Sequence, residues 1–286
     1  MKPTTYREAL VWASSLLASI NPKIAEWLQL HLMGVERQEW VRSLDDSMSS
    51  DALSRYQGWV KAVVDGEPYQ YIVGEEDFYG RTFHVSPAVL IPRPETELLV
   101  EHVIAYAKRY WADAVSCTMV DIGTGSGAIA VTCALEWDKV RMLAVDISEE
   151  ALSVASHNAN QLGAQVEFLQ GDLLQPLLSR KKKVDVLISN PPYIPFSQKE
   201  KLDRNVVDFE PHTALFAPED GLYFYRQLIQ QSPSILANQS LLAFEVGIHQ
   251  AQAVVDFIKH IHPSAKCEVK RDYQGIDRMV LAYIEK

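Results

Sequence analysis

Asn190, Pro191, Pro192 and Tyr193 follow directly on the apolar run VDVLIS at 184–189, and together they make a stiff cluster of hydrogen-bond acceptors. Two consecutive prolines lack backbone N–H groups and hold φ fixed, so the turn offers carbonyl oxygens where an ordinary turn would also offer donors. Asn190 adds its side-chain oxygen. A residue before proline is pushed toward extended geometry, which fits a strand running straight into the turn. Such a site is built to grip an NH2 group.

A second constellation is Asp121-Ile122-Gly123-Thr124-Gly125-Ser126-Gly127-Ala128, placed after an apolar strand and before a helix. Glycines remove side-chain bulk at the strand-to-helix turn, and the helix N-terminus presents free N–H groups with a partial positive charge. Gly123-x-Gly125-x-x-Ala128, with Asp146 some way on, also satisfies the dinucleotide fingerprint. Asp121 tips the choice. A carboxylate where a pyrophosphate would approach repels it, but suits the ammonium of an amino-acid-bearing ligand. S-adenosylmethionine is such a ligand. Asp146, ending the second strand, is placed to accept from both ribose hydroxyls, and Asp172, after the third, from the adenine amino group. Each acid alone reads more readily as a helix cap or solvated turn, and it is their joint placement at three successive strand ends that reads as a nucleoside pocket.

The elements that must hold these residues fall into two regions. From residue 4 to about 66, apolar residues recur at helical spacing: Leu10, Ala13, Leu17, Ile20, and again Leu53, Tyr56, Val60, Val63. Asn21 and Pro22 read as an N-cap and first helical position, Gly34 and Gly66 as helix stops. The segment 67–74 breaks the pattern as a linker. Beyond it come a hairpin at 78–85 and a helix at 95–110. The chain then alternates strand and helix, with strands at 118–122, 141–146, 166–169, 184–189 and 240–246 and a helix at 148–162 stopped by Gly163. Segments 267–272 and 278–284 lie too close together for a crossover helix, so one of them should run antiparallel. The expected fold class is α/β, a Rossmann-like sheet at 75–286 preceded by a small helical bundle at 1–74.

The 286 residues suffice for about two domains with cores of their own. A net charge of −10 argues against a constitutive nucleic-acid binder, which needs a basic face. Cys117, Cys133 and Cys267 are widely spaced, which speaks against disulfides or a zinc site and fits a reducing cytoplasm. The first twenty residues interrupt their apolar positions with Arg7, Glu8 and serines, unlike a signal-peptide core, so neither export nor membrane spanning is expected. The eight histidines show no metal-ligand spacing, and no metal is assigned.

Several further segments complete a pattern: Pro68-x-Gln70-Tyr71-Ile72, Phe78-Tyr79-Gly80, Leu90-Ile91-Pro92-Arg93-Pro94-Glu95-Thr96-Glu97, Phe209-Glu210-Pro211 with Ala214-Leu215, Asp220-Gly221-Leu222, and Asp277-Arg278. With the glycine loop and the Asn190 turn, they span most of the chain. On them the sequence resembles class I S-adenosylmethionine-dependent methyltransferases, and within these the protein-(glutamine-N5) methyltransferases that modify peptide chain release factors. The tetrapeptide alone is shared with enzymes that methylate adenine N6; together with the intact Pro-Arg-Pro-Glu-Thr-Glu segment it is specific. A sibling family acting on a ribosomal-protein glutamine usually lacks that segment.

The resemblance implies a seven-stranded methyltransferase sheet, a helical N-terminal domain, which reads either as a substrate-recruiting domain or as a stability or solubility module, and a target glutamine in a Gly-Gly-Gln loop of class I release factors. It implies that Gly123 to Gly127, Asp146 and Asn190 line the cofactor site, with Leu173 beside the adenine, where some relatives carry an aromatic ring. A monomer without nucleic-acid or membrane partner is expected. Asn190, Pro191 and Tyr193 are the candidate catalytic residues, and Pro192 joins them in binding substrate. The Asn190 oxygen and Pro191 carbonyl would each accept one N–H of the glutamine amide, while the Tyr193 ring packs against the glutamine or near the sulfonium. Arg93 either orders the loop over the cofactor or makes a structural ion pair, and Glu210 either braces the active-site turn or caps a loop. The run Arg180-Lys181-Lys182-Lys183 is a solvated turn or meets an acidic partner. An adenine-N6 methyltransferase and a non-catalytic docking protein are the competing readings.

Overall fold

The computed structural model describes residues 4–285. The chain forms two compact units, the first made of the described residues up to Glu75 together with Asp203–Phe209. It holds the helices Tyr6–Leu16, Ile24–Met33, Arg37–Arg42, Ser50–Val64, Tyr69–Val73 and Arg204–Phe209. Thr5 and Ser49 cap two of them by accepting the Glu8 and Ala52 N–H groups. Leu53, Tyr56, Val60 and Val63 are buried in one stripe against Ala13, Leu17 and Leu28. Ile20 instead falls past the end of its helix and is 53% exposed. Asn21 and Pro22 form the turn before the second helix, the Asn21 side chain accepting the Lys23 N–H at 3.0 Å, rather than its first two positions. The segment expected as a linker contains the short helix Tyr69–Val73, too brief for periodicity to reveal and closed by Gly74.

The second unit, Glu76–Leu202 with the described residues from Glu210 onward, carries the sheet. Its strands are β1 (Cys117–Ile122), β2 (Val140–Asp146), β3 (Val166–Gln170), β4 (Val184–Ser189), β5 (Leu236–Glu245), β6 (Lys266–Arg271) and β7 (Asp277–Glu285). Their spatial order is β3-β2-β1-β4-β5-β7-β6. Neighbours from β3 to β5 pair in parallel, whereas β7 runs antiparallel to both β5 and β6. The link at 272–276 is too short for anything else.

Both faces of this sheet are covered, which is why its strands read as nearly continuous apolar runs. Met119, Met142, Ala144, Val186 and Ile188 face one core, which includes Leu99 and Val103 of the helix Pro94–Tyr110. Val120, Leu143, Val145 and Leu187 face the other, with Val254 and Ile258 of the helix Ala251–Ile261. Register then sets the site: Asp121 lies beside Ala144 and Ile188, and Asp146 beside Gln170. The carboxyl ends of the central strands therefore bring the glycine loop, Asp146, Asp172 and the Asn190 turn to one crevice, where ligands of open α/β sheets bind. A hairpin of Glu75–Phe78 and Arg81–His84 precedes the sheet, its first strand starting earlier than the sequence suggested.

Candidate active site

A cavity of about 430 Å³ opens at these strand ends. Of the residues singled out from sequence, Gly123, Gly125, Asp146, Asp172, Leu173, Asn190, Pro191 and Pro192 stand on its wall. Leu90, Ile147, Phe196 and Phe216 add apolar surface. Asp121, Thr124, Ser126, Gly127 and Tyr193 are not on the wall; they shape it from behind.

The glycine loop is fastened by its own backbone and by two carboxylates. Gly123 and Thr124 donate to the Val145 carbonyl at 2.9 and 3.1 Å. Asp146 accepts from the Gly125 N–H through Oδ2 at 2.9 Å and from the Ser148 N–H through Oδ1 at 3.0 Å. Each of its oxygens keeps a second acceptor position, and the residue lines the cavity. Gly127 has φ of 81°, and a Cβ there would lie 3.0 Å from the Ala155 Cβ, so the loop packs tightly on the helix Glu149–Leu162. Asn158 on that helix was missed by sequence reasoning, since a single amide in an amphipathic helix carries no pattern. It is fully buried, donates to the Ser126 and His84 carbonyls at 2.9 Å each, and accepts the His84 N–H at 2.7 Å.

Asp121 is fully buried beneath the loop. Its Oδ2 accepts the Thr124 hydroxyl at 2.7 Å, while Oδ1 has no partner among the described residues. Burial pushes this carboxyl up to about 7. Asp121 therefore does not reach the ligand space as the sequence suggested, whereas Gly123 and Gly125 open onto free space beside the cavity-lining Asp146 and Asp172, an arrangement that fits a nucleoside-bearing ligand. Leu173 adopts φ of 47°, rare for a non-glycine residue, which turns it onto the cavity wall as an apolar surface.

The Asn190 turn is equally anchored. Ser189 donates to the Ile122 carbonyl at 2.6 Å, joining β4 to β1 just before the turn. The Asn190 Nδ2 donates to the Thr96 hydroxyl at 3.3 Å, and that hydroxyl donates to Glu245 Oε2 at 2.6 Å. Behind the turn, Gln250 donates to the Tyr193 carbonyl at 3.0 Å and accepts the Gly247 N–H at 3.0 Å. The Tyr193 ring packs against the second core beside Gly247, where a Cβ would come within 2.9 Å of it. Burial raises its phenol above the ordinary value, so the group stays neutral. Thr96 and Glu245 were not picked out in advance. Their signal was there: a charged residue ending the apolar run at 240–246, and a threonine inside the Pro-Arg-Pro-Glu-Thr-Glu segment.

The remaining parts of that segment are fixed too. Arg93 forms an ion pair with the buried Glu210, whose other oxygen accepts the Ile91 N–H at 3.3 Å, so the pair ties this segment to Glu210 next to the cavity-lining Leu90 and Pro211. Glu97 accepts the N–H of Tyr79 in the hairpin turn at 2.8 Å. Three residues of the basic run are paired within the chain: Lys182 and Arg180 with Glu167 at 2.6 and 3.2 Å, and Lys183 with the Ser234 carbonyl at 3.0 Å.

The strand order with its antiparallel β7, the glycine loop after β1 and the acids after β2 and β3 define a class I S-adenosylmethionine-dependent methyltransferase. A methyltransferase from Pyrococcus furiosus shares the fold, with a TM-score of 0.51 at 15% identity over 83% of this chain and 100% of that one. A family model for the methyltransferase small domain matches residues 94–209, and one for the PrmC N-terminal domain matches 8–74. A release factor glutamine methyltransferase from Bacillus subtilis (strain 168) is 44% identical over 99% of both chains. The corresponding protein of Bacillus anthracis is 40% identical over 97% of this chain and 99% of its own. The chain belongs to the release factor glutamine methyltransferase family.

Proposed function

We propose that this chain transfers a methyl group to the side-chain amide nitrogen of the glutamine in the Gly-Gly-Gln motif of peptide chain release factors. S-adenosylmethionine, when bound, supplies a methyl carbon activated by its sulfonium. Asp146 and Asp172 hold the nucleoside, Leu173 contacts the adenine, and Asp121, Thr124 and Ser126 support the glycine loop around the remainder. The observation that carries the reading is the Asn190 carboxamide. Its nitrogen is tied back to Thr96 at 3.3 Å, so its oxygen is left as an acceptor on a wall shared with Gly123, Gly125 and Pro191.

A carboxamide nitrogen is a poor nucleophile because its lone pair is delocalised into the carbonyl. Asn190 Oδ1 and the Pro191 carbonyl each accept one N–H of the glutamine amide, aiming the nitrogen and stabilising the positive charge that grows on it. Fixed orientation contributes on the order of 7 kcal/mol or more without any strong base. Pro192 continues the rigid wall. Tyr193 serves by closing the turn, since its carbonyl and ring are both held from behind. The helical segment at 1–74 recruits the protein substrate, and the protein works as a cytoplasmic monomer without nucleic acid.

Labelled methyl transfer tests the reading. Incorporation into purified release factor, with none into DNA or RNA, supports it. Incorporation into nucleic acid alone would move the target to adenine.

A further inference from the structure

We propose that Thr96 and Glu245 are positioning residues that decide which end of the Asn190 carboxamide faces the substrate. The inference deepens the proposed function and rests on it in one respect, that Asn190 must present an oxygen to an NH2 group.

Glu245 ends β5 and is almost fully buried, beside Thr96, with Glu95, Tyr193, Tyr225 and Arg278 as the other titratable groups around it. The hydrogen bond of 2.6 Å runs from the Thr96 hydroxyl to Glu245 Oε2, and in the ionised form, which prevails as pH rises past about 7, the carboxylate has no proton to return, so the bond uses the single hydroxyl proton of the threonine. That leaves the Thr96 oxygen with lone pairs only. Asn190 meets this oxygen at 3.3 Å and can satisfy it solely with Nδ2. Reversing the amide would set the Asn190 oxygen against those lone pairs and turn two N–H donors toward a substrate group that is itself a donor. The hydroxyl thus passes the acceptor character of the buried carboxylate on as an orientation of the Asn190 amide.

Elements far apart in sequence make this relay: the first turn of the helix Pro94–Tyr110, the end of β5 and the turn after β4. Thr96 is 5% exposed and is not on the cavity wall, so it acts through Asn190 and does not touch the substrate.

Thr96→Val keeps the shape of the side chain and removes the hydroxyl, and Thr96→Ser restores it. Two readouts on the full-length protein decide the matter. Steady-state kinetics with S-adenosylmethionine and release factor should show kcat lowered roughly 10- to 100-fold in Thr96→Val, with KM for the cofactor unchanged and recovery in Thr96→Ser. Hydrogen exchange of the Asn190 side-chain NH2, assigned by its disappearance in Asn190→Asp, should be slowed in the wild type and in Thr96→Ser and accelerated in Thr96→Val. Unchanged exchange and unchanged kcat in Thr96→Val would overturn the proposal. If the wild type left release factor unmodified, the functional reading would fall. The exchange rates would still uphold or reject the orientation of the amide.

Discussion

Asp146 Oδ2 accepts the Gly125 N–H at 2.9 Å, so the acid ending β2 clamps the loop that follows β1. The same carboxylate faces the cavity, which gives it two tasks. Asp146→Ala should weaken S-adenosylmethionine binding roughly 100-fold, the loss of about two charged hydrogen bonds. Calorimetric titration checks this, and an affinity equal to that of the wild type would remove Asp146 from the ribose role.

Gly127→Ala should damage both loop and fold. The left-handed φ of 81° and the 3.0 Å approach to Ala155 leave no unstrained place for a methyl group. A loss of about 2–4 kcal/mol in urea unfolding is expected, with weaker cofactor binding. A loss below about 1 kcal/mol would mean that the loop can move away from the helix Glu149–Leu162 at little cost.

Much of this arrangement was legible in the sequence because its signals are local. The Asp121 to Ala128 run and the Asn190 turn announce themselves by composition, and alternation of strand with helix announces the sheet. What stayed hidden depends on tertiary register. Asn158 gains its meaning from reaching Ser126 and His84, and Glu245 from meeting Thr96 across 149 positions. Tyr193 was expected at the substrate, yet its ring packs beside Gly247, which only the path of the chain after β5 reveals.

The ion pair of Arg93 with Glu210 yields a third prediction. Arg93→Ala strands a buried carboxylate and should lower stability by about 1–3 kcal/mol, the arginine being partly exposed. Glu210→Gln keeps an acceptor for the Ile91 N–H and should cost less. Urea unfolding of both variants checks the order, and equal losses would contradict it.

Stability should rise on acidification below neutral pH. Burial raises the Asp121 carboxyl from 3.8 to about 7 and the Glu245 carboxyl from 4.5 to about 7, the latter against the Thr96 hydrogen bond and the Arg278 charge and with Glu95 reinforcing it. Between those limits the native state binds more protons than the unfolded one, so stability falls as pH rises through about 7 and is fully present below the ordinary values. Each group contributes on the order of 1–3 kcal/mol. Denaturant midpoints across pH 5 to 8 would test this, on the order of one unit apart. Glu245→Gln should flatten the slope, and a stability that increased with pH throughout this window would contradict the burial argument.

The central claim is that Asn190 orients a glutamine amide for methylation. Its most direct test is mass spectrometry of the Gly-Gly-Gln peptide after incubation of release factor and S-adenosylmethionine with wild-type protein and with Asn190→Ala. One methyl on the glutamine side-chain nitrogen with the wild type, formed roughly 100-fold more slowly by the variant while cofactor binding persists, is the predicted result. An unmodified glutamine with the wild type, or near-normal methylation by Asn190→Ala, would contradict it.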